Sequence, residues 1–446
     1  MKTDAHPLRV AVIGSGPSGF FCADYLLRLA KPCTVALYER WPWPFGLVRD
    51  AVAPDKPKIR AAMTAFTRTA LSHGCSFRGN VTVGRDVSLE ELGRHYHAVI
   101  IAAGAPRPRP LEIQGGTLPG CVNAIDLAGW YNGRPDCVSL APDLDCASVV
   151  IIGAGNAAMD MARMLAAPPE YLAHTDIASN ALVALAASGV RDIHLVARRG
   201  PYDVRFAPVE LEELARIPGC TVEIHADFSE LENAGDDPAR KRLLKAYHAA
   251  GKHHGGERRI HLHYHLAPTA VLGGKKVSGV LFEDRDQTPV HIPCGLAVVS
   301  IGQTGAPFPG LPFDEVSRSI PELAGRIQGA GGALSGMYIA GGGKRGANTN
   351  IGANKPDCLE TVRSLIEDRP LLESGPLHEE GELLNLLADR GVRVVTFDDW
   401  QHIDEMERLR GRDKGKLRDR FLALNEVFHA LDAARGDGGE GVPPKR

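Results

Sequence analysis

Val10-Ala-Val-Ile-Gly14-Ser-Gly16-Pro-Ser-Gly19-Phe-Phe-Cys-Ala23 joins a short apolar run to a glycine turn and then to a helical pattern. Gly14 allows the tight turn, Gly16 lets backbone approach a pyrophosphate, and Gly19 lets the helix pack close to the strand. The unpaired N–H groups and positive dipole end of that helix face the phosphates. A second apolar run, Thr34-Val-Ala-Leu-Tyr38, ends in Glu39, where a carboxylate accepts ribose hydroxyls. Strand, turn, helix, strand and acid in register predict a dinucleotide site.

The same pattern recurs. Ser148-Val-Val-Ile-Ile152 runs into Gly153-Ala-Gly155-Asn156-Ala157-Ala158, with alanine in place of the third glycine. Its partner strand, Ile193–Ala197, is followed by Arg198 and Arg199 rather than by an acid. A guanidinium fork suits a 2′-phosphate, so NADP is expected here and FAD at the first site. Two nucleotide folds of different specificity imply an electron relay.

The 446 residues allow two or three domains. With 44% hydrophobic and 24% charged residues the composition is that of a globular protein, and a net charge of −3 gives no overall pull toward nucleic acid or membrane. No apolar run is long enough to span a bilayer. Only Met-Lys-Thr-Asp-Ala-His-Pro precedes the first strand, too short and polar for a signal peptide, so a cytoplasmic protein is expected. Nine scattered cysteines without a Cys-x-x-Cys argue against a disulfide framework, a zinc site and a dithiol redox centre.

Further along, helices are expected at Ile59–Ser72, Leu89–Leu92, Pro356–Glu367, Glu380–Ala388 and Leu417–Ala433. Strands are expected at Ser76–Phe77, Asn80–Val83, His97–Gly104 and Val392–Phe397, with a strand-like run at Tyr338–Gly341. Of six histidines between His248 and His265, the last three (His261, His263, His265) alternate and would share one strand face. With no converging ligands or second shell visible, a solvated strand and no metal site are expected.

These residues resemble the adrenodoxin-reductase-type ferredoxin–NADP reductases over nearly the whole chain. The pieces that carry the likeness are VIGSGPSGF, PFGLVR, VAPDKPK, GNVTVGRDV, HAVIIAAGA, AGWYNG, ARRGP, VELEEL, GLPFD, YIAGGGKRG and DWQHID. The resemblance implies an α/β fold of two Rossmann-like three-layer domains, the NADP domain inserted into a discontinuous FAD domain. The boundaries expected are 1–107 and 331–435 for FAD, 108–330 for NADP, and a disordered tail at 436–446.

By position, the resemblance places Ser18, Glu39, Leu47 and Val83 on FAD, and Gly155, Asn156, Ala157, Arg198, Arg199 and Glu210 on NADP. The catalytic positions fall on Glu210, near the nicotinamide amide, and on Lys56, which stands where the family has histidine and keeps a donor without a neutral-range titration. Gly342 replaces the family's tryptophan beside the flavin, and Thr349, Asn350 and Ile351 fill the turn that supplies N–H groups to the ring edge. The implied reaction moves a hydride from NADPH to FAD and single electrons to an iron–sulfur ferredoxin. A basic run, Arg240, Lys241, Arg242 and Lys245, matches the family's docking segment for that acidic partner, and Lys252, Arg258 and Arg259 could extend it. Two alternatives stay open: a different electron acceptor (quinone, another protein or oxygen), and a redox-sensing flavoprotein without turnover.

Overall fold

The structure, a computed structural model, describes residues 7–233, 235–251, 255–345, 351–373 and 377–437. Two sheets dominate it. The first has the order Glu322–Leu323, Arg326–Gly329, Gly332–Ile339, Ala98–Ile101, Leu8–Ile13, Cys33–Tyr38, Cys75–Arg78. Its last five strands are parallel. Val10, Ala11 and Val12 are wholly buried, as a strand covered on both faces requires. Helices Pro17–Leu29 and Asn354–Leu372 cover one face, and Leu89–His95 and Glu380–Asp389 the other.

The second sheet is parallel throughout, in the order Cys121–Asn123, Leu296–Val299, Ser148–Ile152, Asp192–Val196, Arg258–His263, Cys220–His225. Helices Ala124–Tyr131, Asn156–Ala166, Pro208–Leu214 and Pro238–Ala250 contribute to the core on one face. On the other, the antiparallel strands Ala267–Gly273, Val277–Glu283 and Pro289–Pro293 bring Val271, Val280 and Phe282 against Val150, Ile152 and Val196. The chain is thus α/β with two three-layer units, the central one entered and left through the first sheet.

Several sequence expectations need correction. Asn80–Val83 is not a strand: Asn80 takes a left-handed φ of 59°, and Val83 makes only an isolated bridge to Val87. Val392–Phe397 is not one either, because only Val395 bridges, to Gly79, and Thr396 already caps the helix Phe397–Arg412 through a reciprocal bond pair with Asp399. The helix expected at Ile59–Ser72 is split into Pro57–Arg60 and Ala62–Ala70. The last helix runs Leu424–Asp437, since the residues before it feed Arg418 and Arg420 into buried ion pairs. The first sheet regains the chain at Glu322, ahead of 331. Residues 438–446 of the expected tail lie outside the described residues.

Candidate functional site

Both glycine turns lie at the carboxyl ends of parallel strands, where open α/β sheets bind ligands. In the first, Gly14 has φ +103°, and a Cβ there would stand 2.6 Å from the Ala102 carbonyl oxygen; one on Gly19 would stand 1.9 Å from that of Gly14. Those two glycines are fixed by packing. Gly16 differs: a Cβ there would meet only Gly46 Cα, at 3.9 Å. That is the open cradle a pyrophosphate needs.

The Gly14 N–H donates to the Tyr38 carbonyl (2.8 Å), which brings Glu39 beside the turn. Ser15 donates to Glu39 Oε2 through its N–H (3.1 Å) and Oγ (2.8 Å), and the Trp41 N–H donates to Oε1 (3.3 Å). Burial pushes the Glu39 carboxyl up, and the Ser15 bonds oppose it. Phe45 N–H bonds to Ser15 O (2.9 Å), so the loop carrying Gly46 and Leu47 lies over the turn with the Leu47 side chain exposed. Val83 is buried, and Ser18 is buried in the first turn of the helix. Gly341 presses on Ser18, where a Cβ would fall 1.9 Å from Oγ.

Gly342 follows in the short helix Gly342–Arg345, and a Cβ on it would lie 3.2 Å from Ala105 N and 3.3 Å from Gly104 Cα. An indole at Gly342 therefore needs the backbone of Gly104 and Ala105 to move. Ile351 begins a single 3-10 turn ahead of the helix Asn354–Leu372. Thr349 and Asn350 lie outside the described residues. Asp357, missed from sequence, accepts from the Gly341 N–H (2.5 Å) and faces Lys344 Nζ (3.2 Å).

The second turn repeats the first. Gly153 has φ +124°, with a Cβ position 2.2 Å from Ser300 O, whereas a Cβ on Gly155 would meet nothing within 4 Å. Asn156 and Ala157 are exposed at the helix start, and Ala158 is wholly buried against the sheet. Asn156 Oδ1 accepts from Ala207 N–H (3.0 Å), and Arg205 N–H bonds to Ala154 O (2.9 Å). Arg198 and Arg199 follow the strand Asp192–Val196 and are exposed.

Between the two units lies a buried charged junction. Lys56 Nζ donates to Glu210 Oε2 (2.5 Å), with Asp160 Oδ1 at 2.8 Å and Glu213 Oε2 at 3.6 Å. Arg163 binds Asp55 through two nitrogens (2.5 and 2.9 Å) and Asp160 (2.8 Å). Burial works against the Lys56 charge, but Asp160 and Glu210 outweigh it and hold its pKa above the ordinary value. Burial raises Glu210, and Lys56 opposes that rise. The structure thus joins Lys56 to Glu210, and adds Asp55, Asp160 and Arg163, which sequence reading missed. Only the three-residue spacing of Asp160 and Arg163 was a visible signal.

A second junction sits behind it. Asp176 Oδ2 accepts from Arg60 (2.7 Å) and Arg420 (2.9 Å), and Arg49 binds Glu407 at 2.7 and 2.9 Å. The C-terminal segment therefore clasps both units.

Arg240, Lys241, Arg242 and Lys245 are exposed on the helix Pro238–Ala250. Lys241 pairs with Asp236 (2.9 Å), and Arg240 lies over the Tyr202 ring (5.4 Å). Beneath them Tyr247 OH donates to Pro201 O (2.9 Å), two residues past Arg199. Arg258 and Arg259 do not extend this patch: Arg258 donates to the carbonyls of Leu165 and Ala167, and Arg259 pairs with Asp192. Lys252 lies outside the described residues.

Two sheets, one parallel throughout and the other over five of its seven strands, each with a glycine turn open at its middle glycine, define the class of pyridine-nucleotide oxidoreductases with paired dinucleotide folds. Residues 8–199 match the pyridine nucleotide-disulphide oxidoreductase family model. The chain is 39% identical over 455 residues to the mitochondrial NADPH:adrenodoxin oxidoreductase of Rattus norvegicus, covering 95% of this chain and 91% of that one. It is 37% identical over 456 residues to the NADPH-ferredoxin reductase FprA of Mycobacterium tuberculosis, covering 95% and 98%. A solved structure of Mycobacterium tuberculosis FprA in complex with NADPH superimposes with a TM-score of 0.89 at 36% identity, over 96% of this chain and all of that one. The chain belongs to the family of adrenodoxin reductases and NADPH-ferredoxin reductases, and it is an oxidoreductase. Among the described residues, no helix is long and apolar enough to cross a membrane.

Proposed function

We propose that this protein oxidises NADPH through bound FAD and passes the electrons to an iron–sulfur ferredoxin. The observation that carries this reading is the pair of open cradles at Gly16 and Gly155, on units locked together through Lys56, Asp160 and Glu210. When bound, FAD accepts a hydride from the nicotinamide and releases electrons one at a time.

The first cradle (Gly14, Gly16, Ser18, Gly19) holds the FAD pyrophosphate, with Glu39 toward the ribose and Leu47, Val83, Gly342 and Ile351 lining the remainder. The second (Gly153, Gly155, Asn156, Ala157) holds NADPH, with Arg198 and Arg199 on its 2′-phosphate. Lys56 engages Oε2 of Glu210, which leaves Oε1 for the carboxamide of the nicotinamide. The FAD unit comprises residues 1–107 and 322–437, with the NADP unit between. The exposed cations on Pro238–Ala250 dock an acidic ferredoxin, steering its approach. Nine cysteines, all free, support a reducing, cytoplasmic setting.

The experiment is NADPH-driven cytochrome c reduction by the purified flavoprotein with and without an iron–sulfur ferredoxin. A rate that depends strongly on the ferredoxin supports the reading, and equal rates point to another acceptor.

A further inference from the structure

The histidines expected on a solvated strand are arranged otherwise. His261 and His263 do share a face, but His265 leaves the strand with φ 58° and binds Glu230. In register, His261 pairs with Glu223 and with His194, and His263 with His225, so five polar side chains share one face at the free edge of the second sheet. Two of them, Glu223 and His225, come from the outermost strand, Cys220–His225.

Three atoms converge there. His261 Nδ1 is 3.1 Å from Glu223 Oε2 and 3.1 Å from His225 Nε2, and the latter two are 3.7 Å apart. Ligand atoms about 2.0–2.1 Å from a tetrahedral zinc ion stand roughly 3.3 Å from one another, and the three separations bracket that value. The far nitrogen of His261, Nε2, is 2.9 Å from Asp192 Oδ1, and Arg259 grips both oxygens of Asp192 (2.7 and 3.0 Å). With Nε2 turned to Asp192, His261 presents Nδ1 to the other two groups, with Glu223 Oε2 and His225 Nε2 both at 3.1 Å. The carboxylate behind a ligating imidazole is the usual outer support of a metal-bound histidine.

We propose that Glu223, His225 and His261 bind one divalent transition-metal ion of the zinc class, with Asp192 orienting His261. Two imidazoles and one carboxylate suit a borderline ion and disfavour calcium or magnesium, which take oxygen ligands. His194 and His263 stack at 4.5 Å on His261 and His225 respectively, and flank the site without joining the ligand set. Glu223 and His225 side chains are 38% and 45% exposed, so the ion has an entry path and its fourth position faces solvent. The ion clamps the edge strand to Arg258–His263, whose continuation bonds from His265 N–H to Arg199 O (3.2 Å). It therefore braces the segment that carries the arginine pair.

The test uses untagged flavin-loaded protein, stripped with a chelator and dialysed, then titrated with Zn2+ against a chromophoric chelator. The expected result is one ion per chain. Glu223→Gln and His225→Ala, both at partly exposed positions that spare the fold, weaken binding by more than about tenfold, and Asp192→Asn by about 10- to 100-fold. His194→Ala keeps native affinity. Failure of the native protein to bind one ion overturns the proposal. So does binding that survives Glu223→Gln and His225→Ala, or that is lost as fully in His194→Ala. Flavin content and circular dichroism of each variant establish that it is folded.

Discussion

Lys56 Nζ and Glu210 Oε2 meet at 2.5 Å across 154 residues of sequence, one from the start of the helix Pro57–Arg60 and the other from the helix Pro208–Leu214. The pair fixes one dinucleotide unit against the other. Asp160 and Glu213 face the same ammonium, and Arg163 approaches all three acids, so two cations answer them at a largely buried place.

Replacing Lys56 by methionine leaves Glu210 with only the 3.8 Å approach of Arg163 Nη1, and takes one of two cations from Asp160 and Glu213. The expected cost is about 3–5 kcal/mol of unfolding free energy, the usual penalty for stranding one side of a buried ion pair. Glu210→Gln costs less, because Asp160 still faces Lys56. Urea unfolding of the flavin-loaded variants checks the order, and an equal or reversed order contradicts it.

The glycines separate packing from ligand contact. Gly155→Ala meets no atom within 4 Å, so unfolding midpoints should stay native while the KM for NADPH rises sharply. Gly153→Ala drives a Cβ to 2.2 Å from the Ser300 carbonyl oxygen in a left-handed backbone, and should destabilise the fold itself. Unfolding midpoints and KM measured on both variants decide the matter.

Asp176 predicts a pH dependence. Burial alone would raise its carboxyl, but Arg420, Arg60 and Arg418 outweigh burial and hold it well below the carboxylate range. The unfolded chain, with an aspartate pKa of about 3.9, then takes up the proton first as pH falls. The contribution is whole above that value and is lost as pH drops below it toward the folded pKa, at a slope of up to about 1.4 kcal/mol per pH unit. Urea midpoints of Asp176→Asn should fall less steeply than those of the native protein below about pH 4. Parallel curves would remove Asp176 from the acid response.

Reversing Arg240 and Arg242 to glutamate should cut ferredoxin-dependent turnover and its salt sensitivity. NADPH reduction of ferricyanide should be unchanged, since both side chains are exposed on the helix Pro238–Ala250. A parallel fall in both activities would make the patch structural.

What could be read from sequence was what is local. Gly14 and Gly153 are forced by one tight turn after one strand, and Glu39 follows by register from Tyr38, so the two nucleotide folds show in a few residues each. Asn80–Val83 has the composition of a strand, yet a left-handed Asn80 diverts it, and Val392–Phe397 fails because the Thr396 cap takes precedence. The junction was hidden because Asp55, Lys56, Asp160, Arg163 and Glu210 come from three separate segments that only the tertiary fold brings together. The histidine face was half legible: the alternation of His261 and His263 is local, but their neighbours Glu223 and His225 depend on which strand lies alongside.

The most direct test of the central claim, that NADPH reduces a flavin held by this chain, is anaerobic single-turnover reduction followed by loss of the flavin's visible absorption. NADPH should bleach the native protein far faster than equimolar NADH. Arg198→Ala with Arg199→Ala should remove most of that preference, weakening NADPH by roughly 2–4 kcal/mol of binding and NADH little. Equal bleaching of the native protein by the two nucleotides, or equal losses in the double variant, would contradict the account.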